Sequence, residues 1–259
     1  MGKREWRWLW WGVLFCCVWL PPGARGETLT VATASNFVLP LQELAARFEQ
    51  EQGVKMVVVS GSSGKLAAQI AKRAPYDLFL AADTAGPARL HRAGRCGEPF
   101  PYATGELVLW IAQDLEPAVD WQGALRGHRG ERLAVANPAN APYGAAARDA
   151  LVKAELWEQM RDRLIYAQNV GQAFQLAYQG SAELAMVSLS YALSGKGREG
   201  VYYSIPEAPL LVQHGCVVRR SKHKKLAERF RQFLAGETGR AMMQKYGYEA
   251  ATARVEEKR

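Results

Sequence analysis

The sequence predicts an α/β protein of two units, each a mainly parallel sheet flanked by helices. Three observations carry this. The order strand, turn, helix, strand occurs near the start of the chain, and parallel strands need such helical crossovers. The same grammar restarts after residue 131. No low-complexity linker separates the two rounds, so ordered strands must cross any boundary between them.

Residues 1–26 stand apart from this pattern. "MGKREWR" is a basic start, "WLWWGVLFCCVWL" an apolar run short for a bilayer span, and "PPGARG" a small-residue end. That is the grammar of a cleaved secretory signal peptide. Ala24 and Gly26 take the small-residue cleavage positions, so the mature chain is expected to begin at Glu27. Phe15 precedes Cys16, and Cys16 precedes Cys17, where lipid attachment would need a small residue; free secretion is favoured over tethering. Cleavage removes four bases and one acid from a chain of formal charge +8, leaving +5.

In the mature chain "ETLTVATAS" reads as a strand, and a helix follows from just after Ser35-Asn36, with Pro40 in its first turn and Leu41, Leu44, Ala45 and Phe48 on one face. "VKMVVVS" is a buried strand, "GSSG" a turn, "KLAAQIAKRA" a helix and "YDLFLAAD" another strand. After the strand "YATGELVLWIA", the second round runs through "RLAVANPANAPYGAAARDALVKAELW" and "LIYAQNVGQAFQLAYQGSAELAMVSLSYAL". "GVYYSIPEAPLLVQHGCVVRR" is extended, and helices near Leu226 to Ala235 and Ala241 to Tyr246 close the chain.

Four places set a strand end directly before a helix start: Ser35-Asn36, Ser62-Ser63-Gly64, Pro142-Tyr143-Gly144 and Asn169-Val170-Gly171. First-turn amides have no partner inside a helix, and the aligned peptide dipoles put partial positive charge there, so such ends attract anions. Serine and asparagine at these positions have two roles open to them, capping the helix or donating outward to a ligand. The junctions carry no carboxylate, which suits a neutral cage for a compact oxyanion. Lys65 is expected to point to solvent.

Other chemistries lack their parts. Val59 stands where a P-loop needs glycine, and Leu66 follows Lys65 in place of serine or threonine. Ser62 and Ser63 lack the Gly-x-Ser-x-Gly elbow of a hydrolase, and no base is placed beside a nucleophile. His91, His128, His214 and His223 have no metal-ligand spacing, so no catalytic residue, metal ligand or cofactor is assigned. Asp77 and Asp83 read as structural contacts at loop ends. The dense run "VVRRSKHKK" has no interleaved aromatics and reads as a solvated helix entrance, with no nucleic-acid partner. Cys96 and Cys216 are the cysteines left after cleavage; a disulfide and two buried thiols are both open.

Taken together, "TASNF", "GSSGKLAAQI", "APYDLFLAAD", "YATGELVLW", "NPANAPYGAAA", "NVGQA" and "ELAMVSLS" resemble, in order and spacing, the periplasmic molybdate-binding proteins of ABC importers, a branch of the type II periplasmic solute-binding proteins. The resemblance covers nearly the whole mature chain. It implies two lobes joined by crossing strands near Tyr102 to Leu107 and Tyr202 to Pro206, giving residues 27–103 and 206–259 as lobe I and 104–205 as lobe II. It also implies a non-enzymatic monomer in the periplasm that carries molybdate or tungstate to a membrane permease.

Carried over by motif, Ser35, Asn36 and Ser63 would bind from one lobe, and Tyr143 and Val170 from the other through their backbone N–H groups. Ser62 and Ser188 are further candidates. In one branch of the family a tyrosine late in the second lobe donates its hydroxyl to the ligand; Ser188 stands at that position here, so the phenol is either absent or replaced by Tyr143. The same fold also serves binders of sulfate, thiosulfate or a phosphonate.

Overall fold

The computed structural model describes residues 27–112, 118–128 and 131–250; the expected signal peptide, residues 1–26, lies outside them. The chain opens with β1 (Thr28–Ala34), a 3-10 turn over Ser35–Phe37 and α1 (Val38–Gln52). As the spacing requires, α1 buries Leu41, Leu44, Ala45 and Phe48, and Gly53 ends it in the left-handed conformation. Next come β2 (Lys55–Gly61), α2 (Ser63–Ala71), β3 (Leu78–Leu80), α3 (Ala85–Arg92) and β4 (Phe100–Gly105).

The chain then passes into a second sheet with β5 (Leu107–Ile111), α4 (Trp121–Gly127), β6 (Leu133–Ala136), α5 (Pro142–Lys153), α6 (Trp157–Met160), β7 (Leu164–Ala167), α7 (Val170–Tyr178), β8 (Leu184–Ser188), α8 (Leu189–Ala192) and β9 (Val201–Ser204). It returns through β10 (Leu211–Val217), α9 (Lys224–Ala235), α10 (Glu237–Lys245) and β11 (Glu249–Ala250).

The first sheet has the order β11-β4-β10-β3-β1-β2 and the second β7-β6-β8-β5-β9. Each is mixed, where the sequence suggested mainly parallel pairing. β2, β1 and β3 run parallel, as do β7, β6 and β8. β10, β4 and β11, like β5 and β9, are antiparallel to their neighbours. The reason is the double crossing: a chain that leaves one sheet and returns must run against the strands already there. "YATGELVLWIA", read as one strand, is therefore two, divided at Glu106 between the sheets.

Three apolar clusters follow. One fills the second sheet's faces around Trp110, Trp121, Phe174 and Met186. The other two lie on opposite faces of the first sheet, around Phe37, Phe48 and Phe230 and around Ile70, Phe79 and Leu90. Among the described residues no helix is long and apolar enough to cross a membrane.

Cys96 and Cys216 sit in the last of these clusters and form a disulfide, with Cα atoms 5.8 Å apart and a sequence separation of 120. It ties the segment after α3 to β10. A cross-link closing so long a loop restricts the unfolded chain strongly, so Cys96→Ala with Cys216→Ala is expected to cost about 2–5 kcal/mol in urea unfolding. Unfolding unchanged from the oxidised protein would show that the bridge does not form in solution.

Candidate functional site

The carboxyl ends of the parallel strands in both sheets face one another, and in α/β proteins ligands bind at such ends. The four junctions singled out in the sequence meet there. A small cavity is lined by Ala34, Ser35 and Asn36 from the end of β1, by Gly61, Ser62 and Ser63 from the end of β2, by Ala82, by Ala141, Pro142 and Tyr143 at the start of α5, and by Asn169 and Val170 at the start of α7. None of these residues is charged.

The junction at Pro142-Tyr143-Gly144 is held by packing against its own strand. A β-carbon on Gly144 would fall 2.1 Å from the Ala136 carbonyl oxygen, so α5 begins hard against the end of β6 and only glycine fits. That seat fixes the amide of Tyr143 at the cavity. Asn169 caps α7 by accepting from the Gln172 amide, 3.0 Å away, which leaves the preceding first-turn amide of Val170 free of that acceptor.

The serines divide differently. Ser62 is the residue ahead of α2, but its hydroxyl makes no cap and is buried without a partner. Ser63 Oγ accepts from the Ala82 amide at 2.9 Å, so the hydroxyl hydrogen remains available to donate. Ser35 Oγ likewise accepts from the Gly171 amide at 3.2 Å, across the two sheets. Capping therefore does not use the hydroxyl of either Ser62 or Ser63.

The two sheets are bridged at this place by more than the cavity. The Gly64 amide donates to the Asn140 carbonyl at 2.9 Å, and Lys65 Nζ, expected in solvent, reaches Gln168 Oε1 at 3.2 Å. Tyr191 Oη donates to the Ser35 carbonyl at 2.9 Å, and Ser190 Oγ to that of Asn36 at 2.7 Å.

Ser188 stands apart from the lining residues. Its hydroxyl is fully buried, pairs with Ser190 Oγ at 2.8 Å, and does not line the cavity. The strand β8 ends at Ser188, so the side chain turns inward beneath α8. The Tyr143 phenol does not substitute for the missing one. It points to the crossing, where a β-carbon on Gly105 would meet Tyr143 Oη at 2.4 Å and Gln213 Nε2 at 2.6 Å. Tyr143 thus offers its backbone to the cavity and its ring to the hinge.

Behind the cavity lies a buried polar cluster that the sequence did not disclose. Asn36 Nδ2 donates to Gln213 Oε1 at 2.9 Å and to Tyr248 Oη at 3.0 Å. Tyr102 Oη lies 2.9 Å from Gln213 Oε1, and Tyr248 Oη donates to the Asn36 carbonyl at 2.7 Å. Burial pushes the phenols of Tyr102 and Tyr143 well above their ordinary range and that of Tyr248 up to about 12, so all three keep their hydrogens at neutral pH.

The acids and histidines stay outside the site. Asp77 accepts from the Thr30 amide and the Ser221 hydroxyl, and Asp83 from the Gly86 amide, so both hold loops. Among the described residues no group of three or more His, Cys, Asp or Glu is placed to hold a metal ion. The cavity can bind a small anion by hydrogen bonds; it holds no nucleophile with a base beside it.

Comparison with known proteins agrees with this geometry. Residues 29–249 match the family model described as bacterial extracellular solute-binding protein. The chain is 34% identical over 244 residues to the molybdate-binding protein ModA of Azotobacter vinelandii, covering 92% of this chain and 93% of that one. It is 32% identical over 232 residues to the protein of the same name from Rhodobacter capsulatus, covering 88% and 90%. Among solved structures, the periplasmic molybdate-binding protein of Azotobacter vinelandii superposes with a TM-score of 0.80 at 34% identity, over 85% of this chain and 98% of that one. The two-lobed α/β fold, the uncharged cleft and these likenesses together place the chain in the bacterial extracellular solute-binding protein family.

Proposed function

We propose that this protein captures molybdate, with tungstate as a near-equal ligand, between its two lobes in the periplasm and delivers it as a monomer to the membrane permease of an ABC importer. The observation that carries the reading is the convergence of three helix N-termini and buried hydroxyls on an uncharged cavity. The relatives named above as molybdate-binding proteins support the choice of ion.

In this reading Ser35, Asn36 and Ser63 bind from the first lobe, with Ser62 beside them, and the amides of Tyr143 and Val170 close from the second. Ser188 is left out because its hydroxyl is spent on Ser190. The lobes divide where the chain passes between sheets, at Glu106 and between Ser204 and Leu211. Contacts from both lobes to one anion drive closure, since the ligand gains most in the state where all donors reach it.

Selectivity follows from size and from the sign of the hydrogen bonds. Molybdate and tungstate have longer bonds to oxygen than sulfate, so donors spaced for the larger ions leave sulfate with unmade contacts. Hydrogen phosphate carries a proton that needs an acceptor in a cage built of donors.

Calorimetric titration of the mature protein should show tight one-to-one binding of molybdate and tungstate and none of phosphate. A preference for sulfate would keep the fold and overturn the ligand. Ser63→Ala should weaken molybdate binding by about 1–3 kcal/mol, the loss of a hydrogen bond to a charged group, and unchanged affinity would remove Ser63 from the cage. Gly64→Ala probes closure: its β-carbon would lie 2.9 Å from the Asn140 carbonyl oxygen, so the lobes would part slightly. Molybdate affinity should fall while urea unfolding of the ligand-free protein shifts little.

A further inference from the structure

The amide pair of Asn36 and Gln213 can hydrogen-bond in two registers. In the register observed, Asn36 Nδ2 donates to Gln213 Oε1. Tyr102 has a single hydroxyl hydrogen for two acceptors, the Ala81 carbonyl at 3.1 Å and Gln213 Oε1 at 2.9 Å. Asn36 Oδ1, Gln213 Nε2 and Tyr143 Oη are buried with no aligned partner. Asn36 is 1% exposed and lines the cavity, with its donor nitrogen turned away to Gln213 and Tyr248. The amide atom left over is an acceptor, which repels an anion.

A half turn of both amides keeps the Asn36–Gln213 and Gln213–Tyr102 contacts and reverses the sense of both. Gln213 Nε2 then takes the place of the oxygen that lies 2.9 Å from Asn36 and 2.9 Å from Tyr102, and its two hydrogens serve Asn36 Oδ1 and Tyr102 Oη. Tyr102 keeps its one hydrogen for Ala81, and Gln213 Oε1 turns toward the Tyr143 hydroxyl. Tyr248 then turns its one hydrogen from the Asn36 carbonyl, 2.7 Å away, to Asn36 Oδ1 and draws back from that carbonyl, which Ser190 still serves at 2.7 Å. Asn36 Nδ2 is released on the side where Oδ1 had no partner.

We propose that Gln213 is a positioning residue: in the anion-loaded protein it donates to Asn36 Oδ1 and so turns the Asn36 amide hydrogens toward the oxyanion. The inference rests on the anion-binding reading above and deepens it. The reversal supplies a donor to the anion and removes the acceptor that a protonated anion such as hydrogen phosphate would use. It also ties the cleft to the crossing, because Gln213 lies on β10 and, in this register, receives the Tyr143 hydroxyl from α5 of the other lobe.

Neutron diffraction from crystals of the deuterated protein grown with molybdate reads the register directly. The expected map has the Asn36 Nδ2 deuterons on the anion and a Gln213 Nε2 deuteron on Asn36 Oδ1. Molybdate in the cleft with Asn36 Nδ2 still on Gln213 would overturn the proposal. A cleft that takes no molybdate would sink the ligand assignment instead, and the same deuterons would then be read with sulfate.

A double-mutant cycle gives a second measurement. Gln213→Met, similar in size and without the amide, should weaken molybdate binding about tenfold or more in the native background. In the Asn36→Ala background the same change should have little further effect, since the donor it positions is gone. Equal losses in both backgrounds would mean that Gln213 only supports the fold.

Discussion

An ion without a counter-charge can be held in a buried site only by dipoles that are already pointing at it, and that constraint organises this molecule. Transferring a charge out of water is costly, and the cavity offers no basic side chain to offset it. Helix N-termini meet the need because their first-turn amides are unsatisfied and oriented by the helix itself. These backbone donors need not rearrange to meet an ion. The strands therefore end where they do, and Gly144 and Gly64 are glycines because backbone must meet backbone closely there.

The same constraint explains the polar cluster behind the cleft. Hydroxyls and amides that face the cavity must be held by others that face the hinge, and each buried group left unpaired costs more than a typical hydrogen bond returns. Tyr102, Tyr143, Tyr248 and Gln213 crowd around Gly105, at the point where the chain leaves the first sheet. A larger residue at 105 would strike Tyr143 and Gln213 together. The crossing is thus the one part of the hinge where cage and fold share the same atoms.

What could be read from the sequence was local. A strand followed at once by Ser-Ser-Gly or Pro-Tyr-Gly announces a helix N-terminus within a few residues, and the four junctions were legible for that reason. Partners distant in sequence were not. Asn36 meets Gln213 across 177 residues and Tyr248 across 212, and Gln213 sits in a stretch that reads only as extended chain. Pairing direction was hidden for a similar cause: β5 and β10 are apolar strands whose composition does not tell parallel from antiparallel, and only the two crossings decide it. The end of β8 resembles the other strand ends, yet the Ser188 hydroxyl pairs with that of Ser190.

A carrier must release what it holds, and the geometry shows where the reversible part lies. The Ser35 hydroxyl takes the Gly171 amide, and the Asn140 carbonyl takes the Gly64 amide, so some donors at the mouth are used lobe to lobe without any ion. These bonds are exchangeable with water when the lobes part, and their net worth is small. The polar contacts at the crossing are buried. Opening then costs the few bonds at the rim together with those to the anion. A permease that held the lobes apart would have only that small set of interactions to overcome.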